Sequence, residues 1–204
     1  MYKVQHIYRD SNSNEAVVVC ENESYRITVR DLDVIGLEEG DEISEDEIRE
    51  LEEAVMRLAC IKKAFDFLSY GDLSEKQLRD KLCRKFPKKL AADVAALFVE
   101  RGYVNDARLA ERYAETFYCF KNMGLGKIRN ELYRRGISRE NIENALSKYE
   151  CEDQNERIKE FINKKYDVDR LNDSKYRQKV YAGALRAGFN GSDVADVLRK
   201  FESE

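Results

Sequence analysis

Few side chains in this 204-residue sequence are of a kind that could do chemistry. Histidine occurs once, at His6, and with no second imidazole or cysteine pair beside it the residue has no partners for a triad or a zinc centre. The five cysteines, Cys20, Cys60, Cys83, Cys119 and Cys151, are odd in number, widely spread and free of any Cys-x-x-Cys pair. They read as reduced thiols, mostly small core residues. Gly124-Leu125-Gly126-Lys127 has the outward look of a phosphate cradle but lacks the Ser/Thr and the full spacing, so it reads as a helix-starting turn. The acidic run Glu38–Glu53 follows no EF-hand pattern and contains the Ser44–Glu47 capping box, so it reads as a solvated loop and a helix start. No catalytic residue, cofactor or metal is expected, and the chain should act by binding.

The spacing that could matter for binding belongs to arginine. Arg84, Arg134 and Arg186 each stand six residues after an apolar residue, Leu78, Ile128 and Val180. On a helix, six residues turn through about 600°, a net 240°, whereas Leu82 and Leu132, four residues after the same anchors, lie at about 40°. The arginines therefore point away from the buried face. Their planar forks suit carboxylates and phosphates alike, and Lys85, Lys127 and Arg135 stand close by in sequence. The plain alternative is three surface arginines near helix C-termini, where the helix dipole favours a cation. Charge is uneven in the same sense. Residues 1–60 hold 6 Lys/Arg against 16 Asp/Glu, residues 61–139 hold 18 against 10, and residues 140–204 hold 12 against 14. A basic middle of net +8 favours an anionic partner, although solvated helices also gather lysine and arginine.

The elements that must position these residues emerge from an internal repeat. Leu78, Ile128 and Val180 are 50 and 52 residues apart, and four residues on come Leu82, Leu132 and Ala184. Eight residues on comes a stop: Phe86 before Pro87, the single proline, in the first copy, and Gly136 and Gly188 in the others. A following helix aligns through Val94, Ile142 and Val194, and a preceding one carries Ile61, Ala64, Phe65 and Leu68, then Leu109, Tyr113, Phe117 and Phe120, then Ile158, Phe161 and Ile162. The stripes have the spacing of buried helix faces. Capping boxes at Ser44–Glu47 and Ser74–Gln77 and candidate N-caps at Asn105 and Ser192 mark helix starts. Three helices per copy and three copies give nine helices, in an elongated, curved array suited to an extended partner.

Residues 1–35 differ: Tyr2–Arg9, Glu15–Glu21 and Ser24–Val29 are short runs rich in Val, Ile, Thr and Tyr, read as a three-stranded meander that needs the first helix or a partner to cover one face. The expected organisation is an acidic β-rich module over 1–43, a first repeat with its helical extension over 44–104, a second over 105–150 and a third over 151–204. The class is mainly α. With no apolar stretch long enough to span a bilayer and no signal-peptide layout at the N-terminus, a soluble, cytoplasmic protein is expected, with no membrane partner.

Three segments carry a resemblance to a known family. Ala64-Phe65-Asp66-Phe67-Leu68-Ser69, with Leu73-Ser74, Gln77-Leu78 and Lys81-Leu82, resembles the opening repeat of RecX proteins. Arg101-Gly102-Tyr103-Val104-Asn105-Asp106 followed by Arg108-Leu109-Ala110 is similar to the family's turn motif, with Asn105 and Leu109 where the family more often has Asp and Phe. Gly126-Lys127-Ile128, Glu131-Leu132 and Arg135-Gly136-Ile137 resemble the second-repeat signature. The resemblance covers residues 60–150 well and the remainder through the repeat. It implies tandem three-helix repeats, no cofactor, and a cytoplasmic regulator, taken as a monomer, that lies in the groove of the RecA recombinase filament on DNA and depresses its ATPase, strand exchange and recombination. Direct binding of single- or double-stranded DNA, competing with the recombinase, is the alternative. Within the turn motif, Gly102 is expected as a left-handed helix cap, Tyr103 as packing back across the junction between the first two repeats, and Asn105 and Asp106 as the start of the next helix.

Overall fold

A computed structural model describes residues 2–10, 12–21, 23–150 and 152–201, so Cys151 lies outside the described residues. Two compact units are present. The first comprises residues up to Asp72 together with Leu78–Tyr103, and the second comprises Leu73–Gln77 and everything from Val104.

The first unit opens with an antiparallel meander, β1 (Tyr2–Arg9), β2 (Glu15–Cys20) and β3 (Glu23–Thr28). Alternation buries Ala16, Val18 and Cys20 of β2 and Tyr25 and Ile27 of β3 on one face. In β1 the apolar residues Val4 and Ile7 are three apart, which strict alternation would place on opposite faces. An irregularity in the pairing between Val4 and His6 sets Val4 opposite Cys20 and Ile7 opposite Val18, so both reach the core side. Two elements go beyond the expected meander. Helix α1 (Val29–Ile35) starts where the third strand was expected to end: the Thr28 hydroxyl accepts from Asp31 N, and Gly36 closes the helix at φ 76°. Strand β4 (Glu42–Ile43) then pairs with Tyr2 and Lys3 of β1, giving the order β3-β2-β1-β4. The cover for the sheet is the long helix α2 (Glu45–Ser69), which contributes Leu51 and Ala54 to the same core as Leu32 of α1. It begins with the Ser44–Glu47 capping box, complete in both directions.

The far end of α2 is also the first helix of the first repeat. It continues into α3 (Glu75–Leu82) and α4 (Lys88–Glu100), with Ala64, Leu78, Leu82, Val94, Ala95 and Phe98 buried. Pro87 stands at the N-cap of α4, where its missing N–H costs no helical hydrogen bond. Nine helices from α2 onward, three to a repeat, are found among the described residues.

In the second unit, α5 (Asp106–Glu115) runs into a π-helical turn, Thr116–Phe120, before α6 (Leu125–Arg134) and α7 (Arg139–Glu150). The third repeat is α8 (Gln154–Lys165), a 3₁₀ turn (Val168–Arg170), α9 (Ser174–Arg186) and α10 (Gly191–Lys200). Each repeat has its own apolar core, Leu109, Phe117, Ile128, Leu132, Ile142 and Leu146 in one and Ile158, Ile162, Val180, Ala184, Val194 and Leu198 in the other. Helix α10 starts differently from expectation. Asn190 is its N-cap and takes both the N–H and the hydroxyl of Ser192, which sits inside the first turn.

One contact is built twice in this unit. Gly124 N and Gly126 N, at the start of α6, donate to Ala187 O (2.9 Å) and Gly188 O (3.0 Å), at the end of α9. Fifty residues before Gly124, Ser74 at the start of α3 donates its hydroxyl to Arg135 O, and Lys76 lies over Gly136, just past the end of α6. Arg135 and Gly136 stand 52 residues before Ala187 and Gly188, so both halves of the contact follow the repeat register. Helix-end carbonyls that α6 and α9 leave without internal partners are thereby satisfied.

Candidate partner-binding surface

Of the six basic residues with binding potential, Arg84, Lys85, Arg134 and Arg186 are exposed. Arg134 and Arg186 are the last residues of α6 and α9. Arg84 departs from this pattern. Helix α3 ends at Leu82, and the chain tightens into turns in which Lys85 N bonds back three residues to Leu82 O. The first repeat has no glycine there to take a left-handed cap, and the approach to Pro87 disfavours continued helix. The helical angle argument thus fits Arg134 and Arg186, while Arg84 reaches solvent from a turn. Arg84, Lys85 and Arg186 make no ion pair among the described residues; Arg134 reaches Glu131 at 3.4 Å.

Arg135 has a different environment from its neighbour. It is 27% exposed against 76% for Arg134. Its guanidinium donates to Glu131 Oε2 (2.9 Å) and to Glu131 O (3.1 Å), and lies 4.8 Å from the Tyr113 ring centroid and 5.4 Å from that of Phe117. The hydrogen bond from Arg135 holds the Glu131 carboxyl below its usual range. Lys127 is half-buried, and its backbone N stands where a Cβ on Gly188 would have to go. Both residues take part in packing within the second unit, which leaves Arg84, Lys85 and Arg186 as exposed cations of the set with no ion pair among the described residues, and Arg134 as an exposed cation beside Glu131.

The turn motif is structural in its geometry. Gly102 lies past the end of α4 at φ 74° and donates to Val99 O (2.9 Å). Tyr103 packs on rings of its own repeat, Phe65 at 5.0 Å and Phe98 at 5.4 Å, which replaces the cross-junction packing expected of it. Asn105 caps α5 by accepting from Arg108 N (2.9 Å). Asp106 does more than start the helix: its Oδ1 accepts from Glu75 N (3.0 Å), capping α3 beside the Ser74–Gln77 box, and burial raises its carboxyl.

Sequence reasoning missed Arg157. Half-buried on α8, it lies 3.4 Å from the Tyr118 ring centroid and donates to Tyr118 O (2.9 Å) and Met123 O (3.1 Å), fixing the exit of the π-helical turn. Burial lowers its pKa from the ordinary arginine value. No local pattern announces such a contact across 39 residues. Tyr70, which is exposed, was also missed, and Phe120, expected in the buried stripe of its helix, is exposed instead because the π-helical turn carries it off the core face; each stands eight residues before a repeat anchor.

The chain resembles known proteins along its length. The family described as RecX, second three-helix domain, matches residues 105–146. A regulatory protein RecX of Clostridioides difficile (strain 630) is 29% identical over 165 residues, covering 80% of this chain and 78% of that protein. A regulatory protein RecX of Listeria welshimeri is 27% identical over 219 residues, covering 97% and 81%. Among solved structures, a crystal structure of regulatory protein RecX superposes over 100% of both chains with a TM-score of 0.82 at 22% identity, and that of RecX from Lactobacillus salivarius covers 73% of this chain and 98% of that one with a TM-score of 0.62. The structural likenesses establish the fold: mainly helical three-helix repeats behind a small sheet. Taken with the matched second domain and the relatives that span most of both sequences, they make this chain similar to RecX proteins along its length.

Proposed function

We propose that this protein binds the RecA recombinase filament on DNA and lowers its ATPase, strand exchange and recombination activity. The identity of the partner rests on the similarity to RecX proteins. The observation that carries the mode of binding is the exposure of Arg84, Arg134 and Arg186 at one position of three successive repeats. A series of equivalent guanidinium groups suits a partner that presents equivalent acidic groups or phosphates in series, and a bidentate fork serves either. The proposed action is binding alone. Among the described residues no group of three or more His, Cys, Asp or Glu could hold a metal, and no helix is long and apolar enough to cross a membrane.

The net charge of +8 over residues 61–139 supports a second reading, direct DNA binding in competition with the recombinase. Salt separates the two. Binding through phosphates weakens steeply with added salt, whereas a protein interface with apolar anchors loses less.

The test is the DNA-dependent ATPase of preformed RecA filaments with and without this protein. Arg84→Glu combined with Arg134→Glu should keep the helical circular dichroism and lose inhibition. Full inhibition by that folded variant places the contact elsewhere.

A further inference from the structure

Two aromatic rings stand in solvent at one place in the repeat. Tyr70 is 90% exposed and Phe120 is 81% exposed. Each follows the first helix of its repeat, eight residues before Leu78 and Ile128. Scattered exposed aromatics need no explanation. The same position filled twice is different, because half-buried positions of these helices diverge between the copies: Lys63 corresponds to Tyr113, and Lys81 to Glu131.

The surroundings repeat as well. Three residues before each exposed ring is a second aromatic flanked by two cations. In the first unit Lys63 Nζ and Lys81 Nζ each lie 5.1 Å from the Phe67 ring centroid. In the second unit Lys121 Nζ lies 5.0 Å and the Arg135 guanidinium 5.4 Å from the Phe117 ring centroid. The cations come from different positions in the two copies, yet each copy has two of them beside the ring. The third repeat has Asp169 and Asn172 at these positions and lacks the arrangement.

The backbone explains how Phe120 is presented. Lys121 N bonds to Thr116 O (3.3 Å), a five-residue spacing that turns each residue through less than the 100° of an α-helix. Phe117 stays in the core while Phe120 swings further from it than an α-helical continuation would carry it. Its C-terminal anchorage is firm, because Met123 is bonded to Phe117 O (3.0 Å) and to Arg157. A firmly anchored, exposed ring three residues from a ring that carries cations offers a flat π-face on a turn that also bears positive charge. An apolar protein pocket would need the ring and would gain nothing from the cations, whereas a nucleic acid strand with unstacked bases uses both.

We propose that Phe120, and more weakly Tyr70, are stacking platforms for the bases of single-stranded DNA, with Lys121 and, beside Phe67, Lys81 placed for its phosphates, Lys63 being paired with Asp66 (3.1 Å). Tyr70 ranks second because Asp66 and Asp72 stand near it in sequence. The proposal rests on the reading of the chain as one that contacts DNA, and it assigns the strand type and the side chains.

The test uses the full chain and two labelled oligomers of equal length, oligothymidine and an abasic strand that keeps the phosphates and lacks the bases. Wild-type protein should bind oligothymidine more tightly than the abasic strand. Phe120→Ala should lose roughly tenfold on oligothymidine, the alanine cost of one stacked base, and nothing on the abasic strand. Tyr70→Ala should lose less. Phe120→Trp creates the sole tryptophan of the chain, and its fluorescence should be quenched by oligothymidine and not by the abasic strand. Equal wild-type affinity for the two oligomers, or an unchanged Phe120→Ala, overturns stacking and leaves phosphate contact standing. Binding of neither oligomer overturns DNA contact itself. A Phe120→Ala that binds oligothymidine normally and fails to inhibit RecA filaments assigns the ring to a protein surface and overturns the proposal.

Discussion

Three glycines separate two costs that a single substitution would confound. Gly102 and Gly188 both have left-handed backbones, φ 74° and 92°, but nothing lies within 4 Å of a Cβ added to Gly102, while one added to Gly188 would lie 2.3 Å from Lys127 N and 2.8 Å from Gly124 O. Gly124 reverses the case: its φ is an ordinary −68°, yet its Cβ would lie 2.2 Å from Gly188 C. Left-handed strain on an alanine costs about 1–2 kcal/mol, and the lost freedom of the unfolded chain returns about 0.4–1 kcal/mol. Gly102→Ala should therefore cost about 0.5–1 kcal/mol. Gly188→Ala bears the same strain and also forces backbone from backbone, breaking the bonds from Gly124 N and Gly126 N. At about 1 kcal/mol for each bond, its cost rises to about 3 kcal/mol. Gly124→Ala loses those bonds without strain and should cost about 1–2 kcal/mol. Urea unfolding followed by far-ultraviolet circular dichroism measures all three. Equal midpoints for Gly102→Ala and Gly188→Ala, or a stabilised Gly124→Ala, would refute the reasoning.

Asp106→Asn keeps an acceptor for Glu75 N and removes a carboxyl whose pKa burial raises. A raised acid contributes stability that is full below its unfolded value, near 3.8, and is lost as pH rises through the folded value. Wild type should thus lose stability relative to Asp106→Asn as pH climbs out of the acid range, and parallel pH profiles of unfolding free energy would rule this out. Arg157→Lys should fail to restore what Arg157→Ala loses, about 2–3 kcal/mol, since an ammonium cannot stack on Tyr118 and reach two carbonyls from one plane. A lysine variant with wild-type urea stability would show that charge alone is what the site needs.

Much of this fold was legible because the repeat writes the same instruction three times. The anchors Leu78, Ile128 and Val180, with the glycine stops at Gly136 and Gly188, set helices that agree with the structure to within a turn. Features written once were harder. Thr28 and Asp31 with Gly36 form a complete start and stop for α1, but the strand-like run takes in Val29, and residues 30–35 are too few to show a helical period of their own. Strand β4 is two residues long and has no pattern of its own; pairing with β1 alone defines it. Ser192 and Asn190 are both good caps, and the choice between them depended on which side chain was free to turn inward. The arginine positions could be read from spacing, whereas the engagement of Arg135 by Glu131, Tyr113 and Phe117 could not, because it depends on how α5 and α6 meet.

The twice-built contact between helix ends gives the repeats a direction of growth. Its receiving half is a turn closed by glycine, and its inserting half is the first turn of the middle helix one repeat earlier. A duplicated copy of the second or third repeat brings its own glycine and could be appended after α10. The front end lacks this receiver, because Phe86 and Pro87 stand where Gly136 and Gly188 receive their neighbours. Lineages that lengthen or shorten such arrays by whole modules should therefore do so behind the first repeat, with the sheet and its helices inherited as a fixed cap.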